Sequence, residues 1–324
     1  MPVEKPKLTN QFRISNDTIK KSDYDDLSFL IDKSLIAVES DQIQRLDYHQ
    51  LVDEAMQQLD SVFHYAKISQ RIPLLDVQNN IIPLLTKVYI NLDLSRLLLV
   101  LQRKDHYTLR HSIAVGILSV LIGKWMKLES SDLQSLMLAA TLHDIGKALL
   151  PEDILNKPQR LNFDEYELVK KHTVFGYQLL KQTVGTSHRQ ALVALEHHER
   201  VDGSGYPFGL DESKISYFGK IVAVADVFHA MSSTRVYHDA LPIYRVLAEL
   251  QDGIFGKFDA GIVTVFIKNT MEFLIGEQVY LSNGQSGSIV LINHVDPMRP
   301  LIKTFDGFID LSLDSSVKII ELID

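Results

Sequence analysis

The sequence predicts a mainly α-helical protein that ends in a small β module. Three observations carry this. Apolar residues recur at helical spacing over much of the chain before Gly276, β-branched alternation replaces that spacing afterwards, and two Asx-Gly pairs punctuate the end. A chain of 324 residues exceeds what one hydrophobic core usually organises. Three regions are therefore read: 1–95, 96–275 and 276–324.

In the first region Leu46, Leu51, Val52, Ala55, Met56 and Leu59 follow the i, i+3, i+4 pattern, and Pro73 and Pro83 suggest breaks or helix starts. No chemical motif lies here, so a sensory, packing or dimerisation role is expected. In the second region Thr108 can cap a helix through Ile113, Val115, Ile117, Leu118, Leu121 and Trp125. Another is expected from Ser131 or Asp132 to His143, with Gly146 as its stop. Asn162 is placed to N-cap a third helix over Phe163 to Leu180. Val193 to His198, Ile221 to Met231 and Ile243 to Leu250 also read as helical. Beyond Gly276, Val279 and Leu281 alternate with other residues and Asn283-Gly284 is a hairpin signal. Ser288 to Ile292 is strand-like and Asp306-Gly307 marks a second turn, giving a small barrel or sheet.

Composition narrows the function. The formal net charge of -8 disfavours nucleic-acid polymers and anionic membranes, which want a basic surface. The absence of cysteine excludes disulfides, thiolate metal sites and cysteine nucleophiles. Any transition metal must then be held by His, Asp or Glu. The polar start, Met1 to Lys5, lacks a signal-peptide core. The greasiest stretch, Ile113 to Met126, is interrupted by Gly123-Lys124 and is shorter than the roughly 20 apolar residues a span needs. It reads as a buried helix, and a cytoplasmic location is expected.

Among 12 histidines, several stand in chemical contexts. His143-Asp144 is followed by Ile145-Gly146-Lys147, and a vicinal imidazole and carboxylate can serve one locus. His197-His198 adds two imidazoles before a loop containing Gly205, Tyr206 and Pro207, whose glycines permit a tight path. Asp226 lies in the apolar run Lys220 to Asp226, where an isolated carboxylate is costly to bury and needs a partner. His111 sits similarly inside an apolar helix. His172 follows Lys170-Lys171, a setting in which a histidine is more often merely exposed.

Taken in order, His111, His143-Asp144, His172, His197-His198 and Asp226 resemble the HD-GYP family of cyclic di-GMP phosphodiesterases, a branch of the HD phosphohydrolases. Asn156-Lys157-Pro158, Leu161, Glu165 and Phe258-Asp259 agree with it, and the resemblance covers about residues 96 to 275. It implies an all-helical, metal-dependent phosphohydrolase domain with two divalent ions, iron or manganese in the first instance. His111, His143, Asp144 and Asp226 would hold one ion. Asp144, His172, His197 and His198 would hold the other, with Asp144 as bridge. A bridging hydroxide would attack the phosphate of cyclic di-GMP, giving the linear dinucleotide and further cleavage to GMP, and Lys147 would neutralise developing charge. Arg235, Tyr237 and His238 would contact substrate. Gly205, Tyr206 and Pro207 would shape a lid or a surface for a protein partner, and a homodimer is compatible with the family.

The chain departs from the family at three places. His229 stands where a second aspartate usually follows the last ligand by three residues. His238 and Asp239 replace positions where basic residues are common. Tyr107 and His106 occupy the neighbourhood where some relatives place an acidic residue for a third metal, with Asp105 as the nearby carboxylate, so two ions are expected. Two other readings stay open: a cyclic-dinucleotide sensor or scaffold without turnover, and an HD phosphohydrolase for another nucleotide.

Overall fold

The first described helix, α1 (Tyr48–Ser69), buries Val52, Ala55, Met56, Leu59, Val62 and Ala66, a stripe at helical spacing. Pro73 then precedes a helical segment built from α2 (Leu74–Asp76), a π-helical turn (Val77–Ile81) and α3 (Ile82–Ile90). Pro83 lies inside that run rather than at its start. Proline lacks an N–H and crowds the carbonyl four residues back, and the wider π turn before it relieves both problems. The computed structural model describes residues 48–90, 107–233, 241–253 and 256–323. Most of the first region's N-terminal half lies outside them.

Helix α4 (Tyr107–Trp125) has no polar face and is buried from Arg110 to Gly123. A helix apolar all round belongs at the centre. Around it pack α1, α3, α5 (Ser130–Thr141), α10 (Tyr217–Ser232) and α12 (Ala260–Phe273). Between α5 and α10 the chain forms a 3-10 turn (Ile145–Leu149), α6 (Glu152–Leu155), α7 (Phe163–Lys170), α8 (His172–Gln182) and α9 (His188–Glu196). The last helix before α12 is α11 (Ile243–Gly253). Local rules set several boundaries. Asn162 and Glu165 form a reciprocal capping box at α7, Ser187 and Gln190 form another at α9, and Asp259 caps α12. No helix among the described residues is long and apolar enough to cross a membrane.

Two expected helices end differently. The one predicted to reach His143 stops at Thr141, because the His143 ring takes the Ala140 carbonyl (2.7 Å) and the backbone tightens into a 3-10 path. The one predicted to run unbroken from Phe163 to Leu180 is interrupted at Lys171. There the side chains of His172 and Thr173 bind the carbonyls of Val169 and Lys170 (2.7 and 2.9 Å), which an uninterrupted helix would use itself.

The C-terminal strands β1 (Gln278–Leu281), β2 (Ser286–Leu291), β3 (Leu301–Thr304), β4 (Gly307–Asp310) and β5 (Ile319–Ile323) form one antiparallel sheet in the order β4-β3-β2-β1-β5. Gly284 and Gly307 carry positive φ in the two predicted turns. Val279, Leu281, Ile289, Ile302 and Ile319 face the helices and join one buried cluster with Phe228, Leu247 and Phe266. The sheet is an extension of the helical core.

Gly146 is not a helix stop. A Cβ there would lie 2.0 Å from the His172 carbonyl oxygen and 2.4 Å from the Gly176 nitrogen, so the 3-10 turn and α8 touch through their backbones. No rotamer change relieves such a clash. Gly146→Ala is expected to cost at least about 3 kcal/mol, the upper end of overpacking effects. An Asn162→Ala control should cost about 1 kcal/mol. Denaturant unfolding measures both, and a loss near zero at Gly146 would show that the two elements separate freely.

Candidate metal centre

The helix ends bring the candidate residues together. His143 follows α5, His172 opens α8 after the break behind α7, and His197 is the C-cap of α9. Each ring directs Nδ1 at a carbonyl in the last turn of the preceding helix: His143 at Ala140 (2.7 Å), His172 at Val169 (2.7 Å) and His197 at Val193 (3.2 Å). A carbonyl only accepts, so each Nδ1 carries a proton. In the neutral ring Nε2 is then a lone pair, and all three point to one place.

That place is Asp144. Its Oδ1 lies 3.3 Å from His172 Nε2 and 3.7 Å from His197 Nε2, and its Oδ2 lies 3.4 Å from His143 Nε2 and 3.9 Å from His111 Nε2. Lys147 is ion-paired with Oδ2. Asp226, from α10, stands 3.0 Å from His111 Nε2 and 3.7 Å from His198 Nδ1. All seven residues expected to bind metal converge. Six are buried and His198 is nearly so. Asp144 shares ligand-atom spacing under 4.8 Å with two groups, His172, His197 and His198 on one side and His111 and His143 on the other.

The donor set fits cations and little else. The Nε2 atoms of His172 and His197 face each other at 3.3 Å, both unprotonated by the tautomer argument. His143 Nε2 and Asp144 Oδ1 are buried with no hydrogen-bond partner in the protein. Lone pairs gathered around a carboxylate repel unless a positive ion lies among them. Three helix C-termini also aim their partial negative charge at the site.

Protonation follows the same geometry. Burial pushes His172 down to about 4 and His198 to about 3, and it lowers His197 and His111 as well. For His143 burial is outweighed by Asp144, and its pKa rises. Burial opposes ionisation of both carboxyls, but Lys147 and His143 hold Asp144 well below the usual range, and His111 and His198 do the same for Asp226. At neutral pH the carboxylates are charged and four of the five imidazoles are held neutral.

A family model described as HD domain matches residues 96–262, more than half of the chain. The chain belongs to the HD domain family. It is 35% identical over 208 residues to a cyclic di-GMP phosphodiesterase of Pseudomonas aeruginosa, covering 63% of this chain and 49% of that protein. It is 33% identical over 178 residues to a 3'3'-cGAMP-specific phosphodiesterase of Vibrio cholerae, covering 54% of this chain and 40% of that one. The chain spans about half the length of the curated relatives it matches. An HDG"Y"P protein from Bdellovibrio bacteriovorus shares the fold, with TM-score 0.55 and 17% identity over 76% of this chain and 79% of the other.

Beside the metal centre of this HD domain, the loop after His198 is held from below. The Tyr206 amide donates to the His198 carbonyl (3.2 Å), the Tyr206–Pro207 peptide is cis, and the Tyr206 ring lies against His198 with centroids 4.6 Å apart. A Cβ on Gly205 would meet backbone atoms of Arg200, Glu199 and His198 within 2.5 Å, so only glycine fits there. Arg235, Tyr237 and His238, expected to contact substrate, lie outside the described residues.

Sequence reasoning missed Glu199 as a functional residue. It is buried, and its carboxylate accepts from the amides of Phe208 (2.7 Å) and Leu210 (2.9 Å), tying the far side of the loop to the candidate pair His197-His198. A glutamate directly after a double histidine carries no spacing signal for that role. Glu196 does the same for the start of α10, accepting from Ser216 (2.9 Å).

Two outcomes are expected. Glu199→Ala should raise amide hydrogen exchange at Phe208 and Leu210 by at least about tenfold, since two loop N–H groups lose a buried, charged acceptor; unchanged protection would show that the loop stands without it. In metal-free protein, the lowered histidines leave the folded state with fewer protons than the unfolded state below pH 6.5. Their stabilisation is complete above that pH and is lost as pH falls toward 4. Four lowered rings against one raised ring give a net loss of stability as pH falls from 6 to 5. Urea titrations at several pH values measure it, and flat stability would contradict it.

Proposed function

We propose that this chain is a metal-dependent cyclic dinucleotide phosphodiesterase whose substrate is cyclic di-GMP. The observation that carries the reading is the convergence of five imidazoles on Asp144 and Asp226, with Lys147 at its edge. His111, His143, Asp144 and Asp226 would hold one ion, and Asp144, His172, His197 and His198 the other. Iron or manganese suits mixed imidazole and carboxylate ligation. Two such ions would supply a nucleophile at neutral pH and charge neutralisation for the phosphate oxygens.

The chain's own groups do the rest. Two carboxylates against neutral imidazoles leave the pair of divalent ions with an excess of positive charge, which suits a substrate bearing two phosphodiesters. Lys147, about a quarter exposed, can exchange its Asp144 contact for a phosphate oxygen and neutralise charge as the bond to phosphorus forms. Water adds to phosphorus, the ester bond to the 3' oxygen breaks, and that oxygen takes up a proton, giving the linear dinucleotide and, after a second cut, GMP. Tyr206 and Pro207 form one wall beside His198. Residues 1–95 and 276–324 are assigned input and covering or docking roles, and the protein is assigned to the cytoplasm.

A second substrate is favoured by one observation, the likeness to a 3'3'-cGAMP-specific relative at almost the identity found for the cyclic di-GMP enzyme. Competition between the two nucleotides separates these readings. The primary test is hydrolysis of cyclic di-GMP by anaerobically purified protein loaded with iron or manganese. Turnover is expected, a His143→Ala/Asp144→Ala variant should lose it by at least about a thousandfold, and Lys147→Ala should lower kcat by about a hundredfold. Nucleotide and metal retained without turnover would instead indicate a sensor.

A further inference from the structure

His111 differs from the other ligand histidines in its place in the fold. His143, His172 and His197 sit at helix ends and fix their tautomers on carbonyls of the last helical turn. His111 lies within α4, where backbone carbonyls are already engaged in the helix. It needs another acceptor for its Nδ1–H if Nε2 is to face the metal centre as a lone pair.

That acceptor is present. His111 Nδ1 lies 2.9 Å from Nδ1 of His229, and both rings are buried. One nitrogen of such a pair must donate and the other accept. His111 Nε2 points the opposite way, toward Asp226 at 3.0 Å and Asp144 at 3.9 Å. With Nε2 serving as a ligand, the proton of His111 resides on Nδ1, and His229 Nδ1 accepts it. His229 then carries its own proton on Nε2, which lies 3.1 Å from Ser233 Oγ. Tyr107 stacks on His111 with centroids 5.5 Å apart and limits the ring's rotation. Asp226, His229 and Ser233 follow one another at three and four residues along α10 and its C-cap, so one helix face presents a ligand and the whole relay.

We infer that His229 is a positioning residue that fixes the His111 ligand through a relay, His111 Nδ1–H to His229 Nδ1 and His229 Nε2–H to Ser233 Oγ. The inference rests on the metal-centre reading above and concerns how this chain serves it with histidine where relatives usually carry aspartate. Loss of such an outer partner typically weakens metal affinity 10–100-fold.

The test is metal affinity by chelator competition on the full-length protein, with zinc as a diamagnetic probe and 15N-histidine NMR as the second readout. The wild type should bind two ions, and His229 should carry its proton on Nε2. His229→Ala should weaken one ion by about 10–100-fold and leave the other unchanged. His229→Asp, or His229→Asn should the buried charge disturb folding, restores an acceptor and should recover affinity to within several-fold. Equal affinity in His229→Ala, failure of both acceptor variants to recover it, or a proton on Nδ1 of His229 would overturn the relay. A wild type that binds no metal would instead remove the reading on which it rests.

Discussion

The hydrogen bonds from imidazole Nδ1 to helix-end carbonyls set the conditions for everything else at this centre. A helix leaves its last carbonyls without partners, and a histidine placed just beyond can satisfy one of them with a single ring nitrogen. Doing so decides which nitrogen keeps its lone pair and where that lone pair points. Ala140, Val169 and Val193, in the last turns of three helices, supply the carbonyls, Val193 in addition to accepting the His197 amide, and the rings they hold meet over Asp144. The centre is thus specified by where α5, α7 and α9 stop. Its precision depends on the contacts that hold those segments, among them the capping box that starts α7 at Asn162 and the backbone contact of Gly146 with α8.

This explains what could be read from the sequence. The His143-Asp144 and His197-His198 pairs are local, and the order of these residues along the chain carried the family resemblance, so the residues that converge were legible. Asn162, Asp259, Asn283-Gly284 and Asp306-Gly307 act through residues within a turn of themselves, and the structure follows them. The break at Lys171 was not legible, because helical periodicity continues across it. Its cause is the use of the Val169 carbonyl by the ring of His172, a choice that only the converging site makes favourable. Gly146 was misread for a related reason: a stop glycine and a glycine at a backbone crossing look alike until the second strand of chain is known. The partnership of His111 with His229 spans 118 positions and has no sequence signature.

The interior of this domain therefore joins two requirements usually kept apart. Helix α4 is buried on every side, as a central helix must be, yet it carries His111 into the polar centre. Helix α10 is nearly as apolar and carries Asp226 and His229. Burial of these groups is tolerable because each finds a partner across the α4–α10 interface. The apolar packing of α10 through Phe228 onto Phe266, and from there to the C-terminal sheet, holds the two helices at the distance those polar contacts need. The sheet bears on the metal centre through that packing.

The substrate side obeys different rules. The ligand set is buried and overdetermined, whereas Lys147 and Tyr206 reach the edge of the centre and Phe208 stands 64% exposed on the same loop. On the proposed function a phosphodiester enters and leaves, so the groups that meet it are less constrained than the buried cluster. Glu199 reconciles the two demands. By accepting from Phe208 and Leu210 it ties the loop to a residue adjoining His198, so the wall next to the ligands is rigid while the tip stays open to solvent. On the proposed function, selectivity between cyclic dinucleotides falls to groups beyond that wall, which carry fewer constraints than the buried His/Asp cluster.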